Sequence, residues 1–219
     1  MWKVEKTVDL SLPLTNDTQV YPGDPEPEIK VATTIKEDGY NLHYVNIGSQ
    51  TGTHVDAPYH FLQEGETIEK VDLSYFIGTG VIVNVQGKTA NQAITLSDIM
   101  PYEKDFKPGA IALFNTNWYK HEGTSQYLEH PYLSAEACEY ILNKGVNTFG
   151  IDAINIDPTG GTEFPVHDMI AEKGGIIVEN MAFLDHVDFD EPLVAFFPLK
   201  LVGCDGAPVR AAAIKLQKK

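Results

Sequence analysis

A chain of 219 residues is long enough to bury one full hydrophobic core without covalent staples. Its 16 lysines and arginines face 31 aspartates and glutamates, and the formal net charge of -15 opposes binding to phosphate backbones and anionic membranes, which argues against nucleic acid and membrane partners. Cys138 and Cys204 lie far apart with no Cys-x-x-Cys partner and read as small buried hydrophobes of a reducing compartment. No apolar run approaches the span of a bilayer, so the expectation is a soluble, cytoplasmic protein with a single domain over residues 1–219.

Taken in order, the alternation from Val4 to Leu14 predicts an opening strand stopped at Pro13. Pro22-Gly23-Asp24-Pro25 is a rigid turn that presents Tyr21 and Asp24 on a loop. Residues 29–37 and 40–49 read as two strands joined by a hairpin turn at Asp38-Gly39, with His43 a structural or surface histidine. The second of these strands feeds Gln50-Thr51-Gly52-Thr53-His54-Val55-Asp56-Ala57-Pro58-Tyr59-His60-Phe61. Gly52 and Pro58 disfavour a helix there, and in extended backbone Gln50, His54, Asp56 and His60 share one parity, while Val55, Ala57 and Phe61 take the other. Two imidazoles, a carboxylate and an amide aimed at one side read as a metal site; His54 and Asp56 taken alone are also compatible with a hydrogen-bonded pair in a polar loop.

Beyond this stretch, Ile68–Phe76 reads as a short strand or turn and the β-branched run from Gly80 to Val85 as a buried strand. A helical turn begins at Thr95, and residues 110–116 form another strand whose polar end, Asn115-Thr116-Asn117, reads as a loop. Lys120–His130 reads as a flexible, partly exposed insert, and neither His121 nor His130 takes a role. Ser134 caps a helix that Gly145 stops, and Thr148–Ala153 is the next strand. A helix between apolar strands makes the fold α/β. A second short helix opens at His167 and ends at Gly174-Gly175. Glu179 follows Ile-Ile-Val directly, and burying that carboxylate is expensive unless a cation or strong donors meet it.

These segments together resemble the cyclase-like metal-dependent hydrolases, the family of bacterial kynurenine formamidases and isatin hydrolases. The family pattern is His-x-Gly-Thr-His-x-Asp-x-Pro-x-His, and this chain departs from it once, with Gln50 in place of the first His. Asp9-Leu10-Ser11-Leu12-Pro13-Leu14, Tyr21 and the closing Asp205-Gly206-Ala207-Pro208-Val209-Arg210-Ala211 match other family segments. The resemblance implies a single compact α/β domain with a mixed β-sheet of the swivelling β/β/α type, and a homodimer or homotetramer. It also implies that His167 and Glu179 complete a ligand set with His54, Asp56 and Gln50, and that Tyr21 walls the substrate pocket. Asp205 and Arg210 are expected to pair as a structural ion pair.

A set of two imidazoles, two carboxylates and an amide oxygen suits Zn2+ or Mn2+, as one or two ions. Such an ion brings the pKa of its water to about 7, and His60, beside the ligands but spare, is positioned to carry a proton to the leaving nitrogen. The expected activity is therefore hydrolysis of a small-molecule amide, of the N-formyl aryl type. Hydrolytic opening of a cyclic amide and a non-catalytic metal-binding role are the alternatives.

Overall fold

A computed structural model describes residues 1–218. The strands are β1 (Trp2–Asp9), β2 (Glu28–Thr33), β3 (Leu42–Asn46), β4 (His54–Asp56), β5 (Ile77–Asn84), β6 (Ala93–Ile94), β7 (Ala110–Asn115), β8 (Tyr132–Leu133), β9 (Thr148–Ile151), β10 (Ile176–Glu179), β11 (Leu193–Ala195), β12 (Gly206–Pro208) and β13 (Ala212–Lys218). The helices are α1 (Ile35–Asp38), α2 (Leu96–Ile99), α3 (Ala135–Asn143) and α4 (Pro165–Glu172).

Nine strands form one mixed sheet in the order β1-β13-β11-β5-β7-β9-β10-β4-β12. Its middle, β5-β7-β9-β10, is parallel, because α3 and α4 return the chain before β9 and β10; both flanks are antiparallel. Of these, β7, β9 and β10 are buried on both faces, which is why they read as apolar runs. In β7, Ala112 and Phe114 pack with Ala137 and Ile141 of α3, whereas Ile111 and Leu113 pack on the other side with Val55, Val178 and Val194. The expected α/β domain with a mixed sheet is what the chain forms.

Local signals explain most element ends. Ser134 Oγ accepts from Ala137 N at 3.3 Å and starts α3, and Gly145, with φ 84°, follows its last turn. Two expectations differ, and a third resolves to one of its alternatives. The β2–β3 connection is not a tight hairpin: Thr34 caps the one-turn helix α1, and Gly39 closes it in the left-handed region. The Ile68–Phe76 segment takes the turn alternative rather than the strand, ending in a 3-10 turn, Leu73–Phe76. Lys120–His130 is not a loose insert, since Tyr127 is buried and donates its hydroxyl to Asn180 Oδ1 at 2.7 Å. His130 is buried too, with Nδ1 2.9 Å from Pro131 O and Nε2 2.8 Å from Thr159 Oγ1, and burial pushes its pKa down to about 4. These turns fold inward because their aromatic and imidazole groups all find partners.

Candidate metal centre

The centre forms where β4 is clasped between β10 and β12. In the β4–β10 register Glu179 stands opposite His54 and Ile177 opposite Asp56. Cross-strand neighbours project to one face, so the local His-x-Asp alternation and the distant Glu179 meet without any loop having to reach across. One ligand atom from each of His54, Asp56 and Glu179 lies within 4.8 Å of the others. His167, in the first turn of α4, adds its Nε2 at 3.3 Å from Glu179 Oε1 and 3.8 Å from Asp56 Oδ2. The four side chains are 3, 3, 2 and 4% exposed for His54, Asp56, His167 and Glu179, so each charge here must be met by the protein or by a bound cation.

Each putting-in-place contact leaves one atom free to ligate. His54 Nδ1 lies 2.7 Å from the Gly52 carbonyl, which only accepts, so Nδ1 carries the proton and Nε2 is the ligating nitrogen. Gly52 adopts φ 66°, a conformation that a side chain would strain. His167 Nδ1 lies 2.8 Å from Asp157 Oδ2, and Asp157 also accepts the backbone N–H groups of Val166 and His167 at the start of α4. Glu179 Oε1 accepts from Ile156 N at 2.7 Å. Asp157 was invisible as a site residue in the sequence, where it reads as a loop acid before proline. Asp157→Asn keeps the shape and one acceptor oxygen but loses the negative charge that holds and polarises the His167 ring, and divalent-ion affinity should fall by about ten- to a hundredfold while the cooperative melt survives; titration against a competing chelator reads it.

Asp56 gives the clearest sign of a cation site. His54 Nε2 is 3.3 Å from Asp56 Oδ1, close without forming a hydrogen bond, and both Asp56 oxygens are buried with no donor. Gln50 Oε1 is buried and donorless as well. Buried carboxylate oxygens facing two imidazoles need positive charge beside them, supplied either by protons on the rings or by a divalent ion that replaces those protons. The donor set, nitrogen and carboxylate oxygen with no thiolate, fits zinc or manganese chemistry.

The centre opens into a cavity of about 190 Å³. Tyr21 lines it, and its hydroxyl accepts from Gly160 N at 3.2 Å. Phe61 corrects the simple alternation: Pro58 opens a 3-10 turn through His60, so Phe61 swings to the site and stacks on His167 with centroids 4.2 Å apart. Phe164 stands 5.2 Å from Phe61, and Asn155 and Asn180 supply polar wall. A larger depression of about 740 Å³ lies beside β5, but it is lined by Asp105, Asp185, Asp188 and Asp190 with no histidine, so it is not where the chemistry is.

The expected Asp205–Arg210 pair does not form. Arg210 instead grips Asp9 through Nε and Nη2 on the surface. Asp205 turns inward, accepting from Ser49 Oγ at 2.8 Å and Gln50 Nε2 at 2.8 Å, with His60 Nδ1 3.0 Å from its Oδ2. The adjacent Gly206 permits this approach, because a Cβ there would sit 2.5 Å from Val55 O and 2.7 Å from Gln50 Nε2. Of the residues singled out in the sequence, His54, Asp56, His167, Glu179, Gln50, His60 and Tyr21 all reach this one site; His43 is exposed on β3.

A mixed sheet carrying a buried nitrogen-and-carboxylate centre at the junction of β4, β10 and α4 defines a divalent-metal protein. The chain belongs to the putative cyclase family, whose model matches residues 8–158. It is 30% identical over 212 residues to the kynurenine formamidase of Bacillus cytotoxicus, covering 95% of this chain and 97% of that one. Among solved structures, an isatin hydrolase bound to the product analogue thioisatinate superposes with a TM-score of 0.88 at 23% identity, covering 97% of this chain and 93% of that one. A protein described as a potential metal-dependent hydrolase with cyclase activity matches with a TM-score of 0.79 at 29% identity, covering 98% of each chain.

Proposed function

We propose that this protein is a metal-dependent amidohydrolase that cleaves the carbon–nitrogen bond of an N-formyl aryl amide, the chemistry named for its kynurenine formamidase relatives. The observation that carries the reading is the pair of Asp56 oxygens, buried without a hydrogen-bonding partner and facing two imidazoles that line an aromatic-walled cavity. His54, Asp56, His167 and Glu179 would hold the ion, with Gln50 Oε1 as a fifth ligand or the acceptor of a water. A divalent ion bound there supplies an acidified water and polarises a carbonyl oxygen.

The remaining steps belong to the chain's own groups. Tyr21, Phe61 and Phe164 offer ring faces to an aryl group, and the cavity is smaller than the roughly 300–1,000 Å³ of drug-sized sites, which favours a compact substrate. His60 borders the cavity without belonging to the ligand set, so its ring takes a proton from the attacking water and returns it to the departing nitrogen. His60→Ala should lower kcat by about a hundredfold or more with metal content unchanged; full activity in that variant would remove His60 from the mechanism.

The test is hydrolysis of a formylated aniline by protein loaded with zinc or with manganese, with and without chelator, beside a cyclic amide of the isatin type. Chelator-sensitive release of formate supports the reading. Selective opening of the cyclic amide would replace it with the isatin-hydrolase type, and turnover of neither with metal bound would make the protein a non-catalytic binder.

The same proposal includes a cytoplasmic site of action, supported by two free cysteines, and a homodimer or homotetramer. The support for assembly is the β2–β3 ribbon, which exposes Val31, Leu42, Tyr44 and Val45, because a two-stranded ribbon is marginal in water by itself. Light scattering that gives the mass of one chain would refute it.

A further inference from the structure

The carboxylate of Asp205 takes none of the ligand positions, yet three side chains converge on it. Ser49 Oγ donates to Oδ1, Gln50 Nε2 donates to Oδ2, and His60 Nδ1 lies 3.0 Å from the same Oδ2. Its backbone is fixed as well: Ala57 N donates to Asp205 O at 2.8 Å, and the β12–β4 register sets Gly206 opposite Asp56. We propose that Asp205 is a positioning residue that holds His60 as the Nδ1–H tautomer with Nε2 presented to the cavity, and that Gln50 holds Asp205 for that task.

A carboxylate only accepts, so each of its partners must turn a donor toward it. For His60 that donor is Nδ1–H, which leaves the Nε2 lone pair to receive a proton. For Gln50 the donor is the amide nitrogen, which fixes Oε1 as the buried, donorless end. One amide thus spans the distance between the cation site and the proton carrier. This gives the departure at position 50 a physical content: the amide donates to Asp205 through Nε2 and leaves Oε1 as an acceptor.

The proposal rests on His60 as the proton carrier of the amidohydrolase reading, but its first test does not need catalysis. Nitrogen-15 correlation spectra of the zinc-loaded protein, at a pH where the ring is neutral and with His60 assigned by its absence from His60→Gln, report which ring nitrogen bears the proton. Protonated Nδ1 is expected; protonated Nε2 overturns the proposal, on the unaltered sequence and whatever the activity. Asp205→Asn should then mix the two tautomers, and should lower kcat by about ten- to a hundredfold with KM, zinc content and melting temperature little changed. In the His60→Ala background the same substitution should cost nothing further, because the ring it orients is gone. Losses that multiply in the double variant would show Asp205 acting elsewhere and would also overturn the proposal. Failure to hydrolyse any amide would instead fall on the functional reading, with the tautomer still deciding the role of Asp205.

Discussion

Glu179→Gln releases the bound ion on dialysis and stops amide hydrolysis, with divalent-ion affinity falling by more than about a hundredfold, the upper end for losing only an outer partner of a ligand. The variant is chosen because its shape is conserved. Glu179 Oε1 accepts from Ile156 N at 2.7 Å, and a glutamine oxygen can keep that bond, so β10 and the Ile156 loop stay in place. What disappears is a full negative charge set between His54 and His167, whose Nε2 atoms lie 3.7 and 3.3 Å from the Glu179 oxygens. Metal analysis after dialysis and a thermal melt check it together. An unchanged metal content would take Glu179, and with it the β4–β10 junction, out of the centre.

Binding of zinc near pH 7.5 displaces about two protons, and apparent affinity climbs with pH by as much as a hundredfold per unit until the first of two rings has titrated. The cause is the buried charge. Burial by itself pulls His54 and His167 down, but the carboxylates around them outweigh it: Asp56 and Glu179 lift His54 to about 9, and Asp157, Glu179 and Asp56 lift His167 to about 10. Without a metal both rings are therefore protonated at neutral pH, and an incoming cation has to replace those protons.

The linkage has a definite direction for stability. Rings whose folded pKa lies above the ordinary 6.5 stabilise the metal-free fold fully below pH 6.5, and that contribution is lost as pH rises through about 9 and then about 10. The rise in melting temperature on adding zinc should accordingly be larger at pH 9 than at pH 6.5. Calorimetry in two buffers of different ionisation enthalpy counts the protons, and a count near zero would mean that the two imidazoles do not share the cation with Asp56.

The local half of the centre was legible in the chain because strand periodicity is a short-range rule. His54 and Asp56, two apart in extended backbone, had to face one way and Val55 the other, and β4 obeys that. The same rule failed at Phe61, where Pro58 replaced extended backbone with a 3-10 turn and moved the ring onto His167. The core strands, the capped helix α3 and the anomaly of an acid after Ile-Ile-Val could also be read, since apolar runs, caps and misplaced charges are written in neighbouring residues.

Which distant residues complete the site was not written there. Asp157 and Asp205 are ordinary turn acids by composition; one became the orienter of His167 and the other the partner of His60 because of how α4 and β12 dock beside β4. Arg210, five residues from Asp205, went to Asp9 across the sheet edge instead. The amino-acid order by itself determined the donors, the strand parity that groups His54 with Asp56, and a core able to carry them. Strand register decided the rest, setting Glu179 opposite His54 and Gly206 opposite Asp56, because hydrogen-bonded pairing across a sheet joins residues over a hundred positions apart that no local preference can bring together.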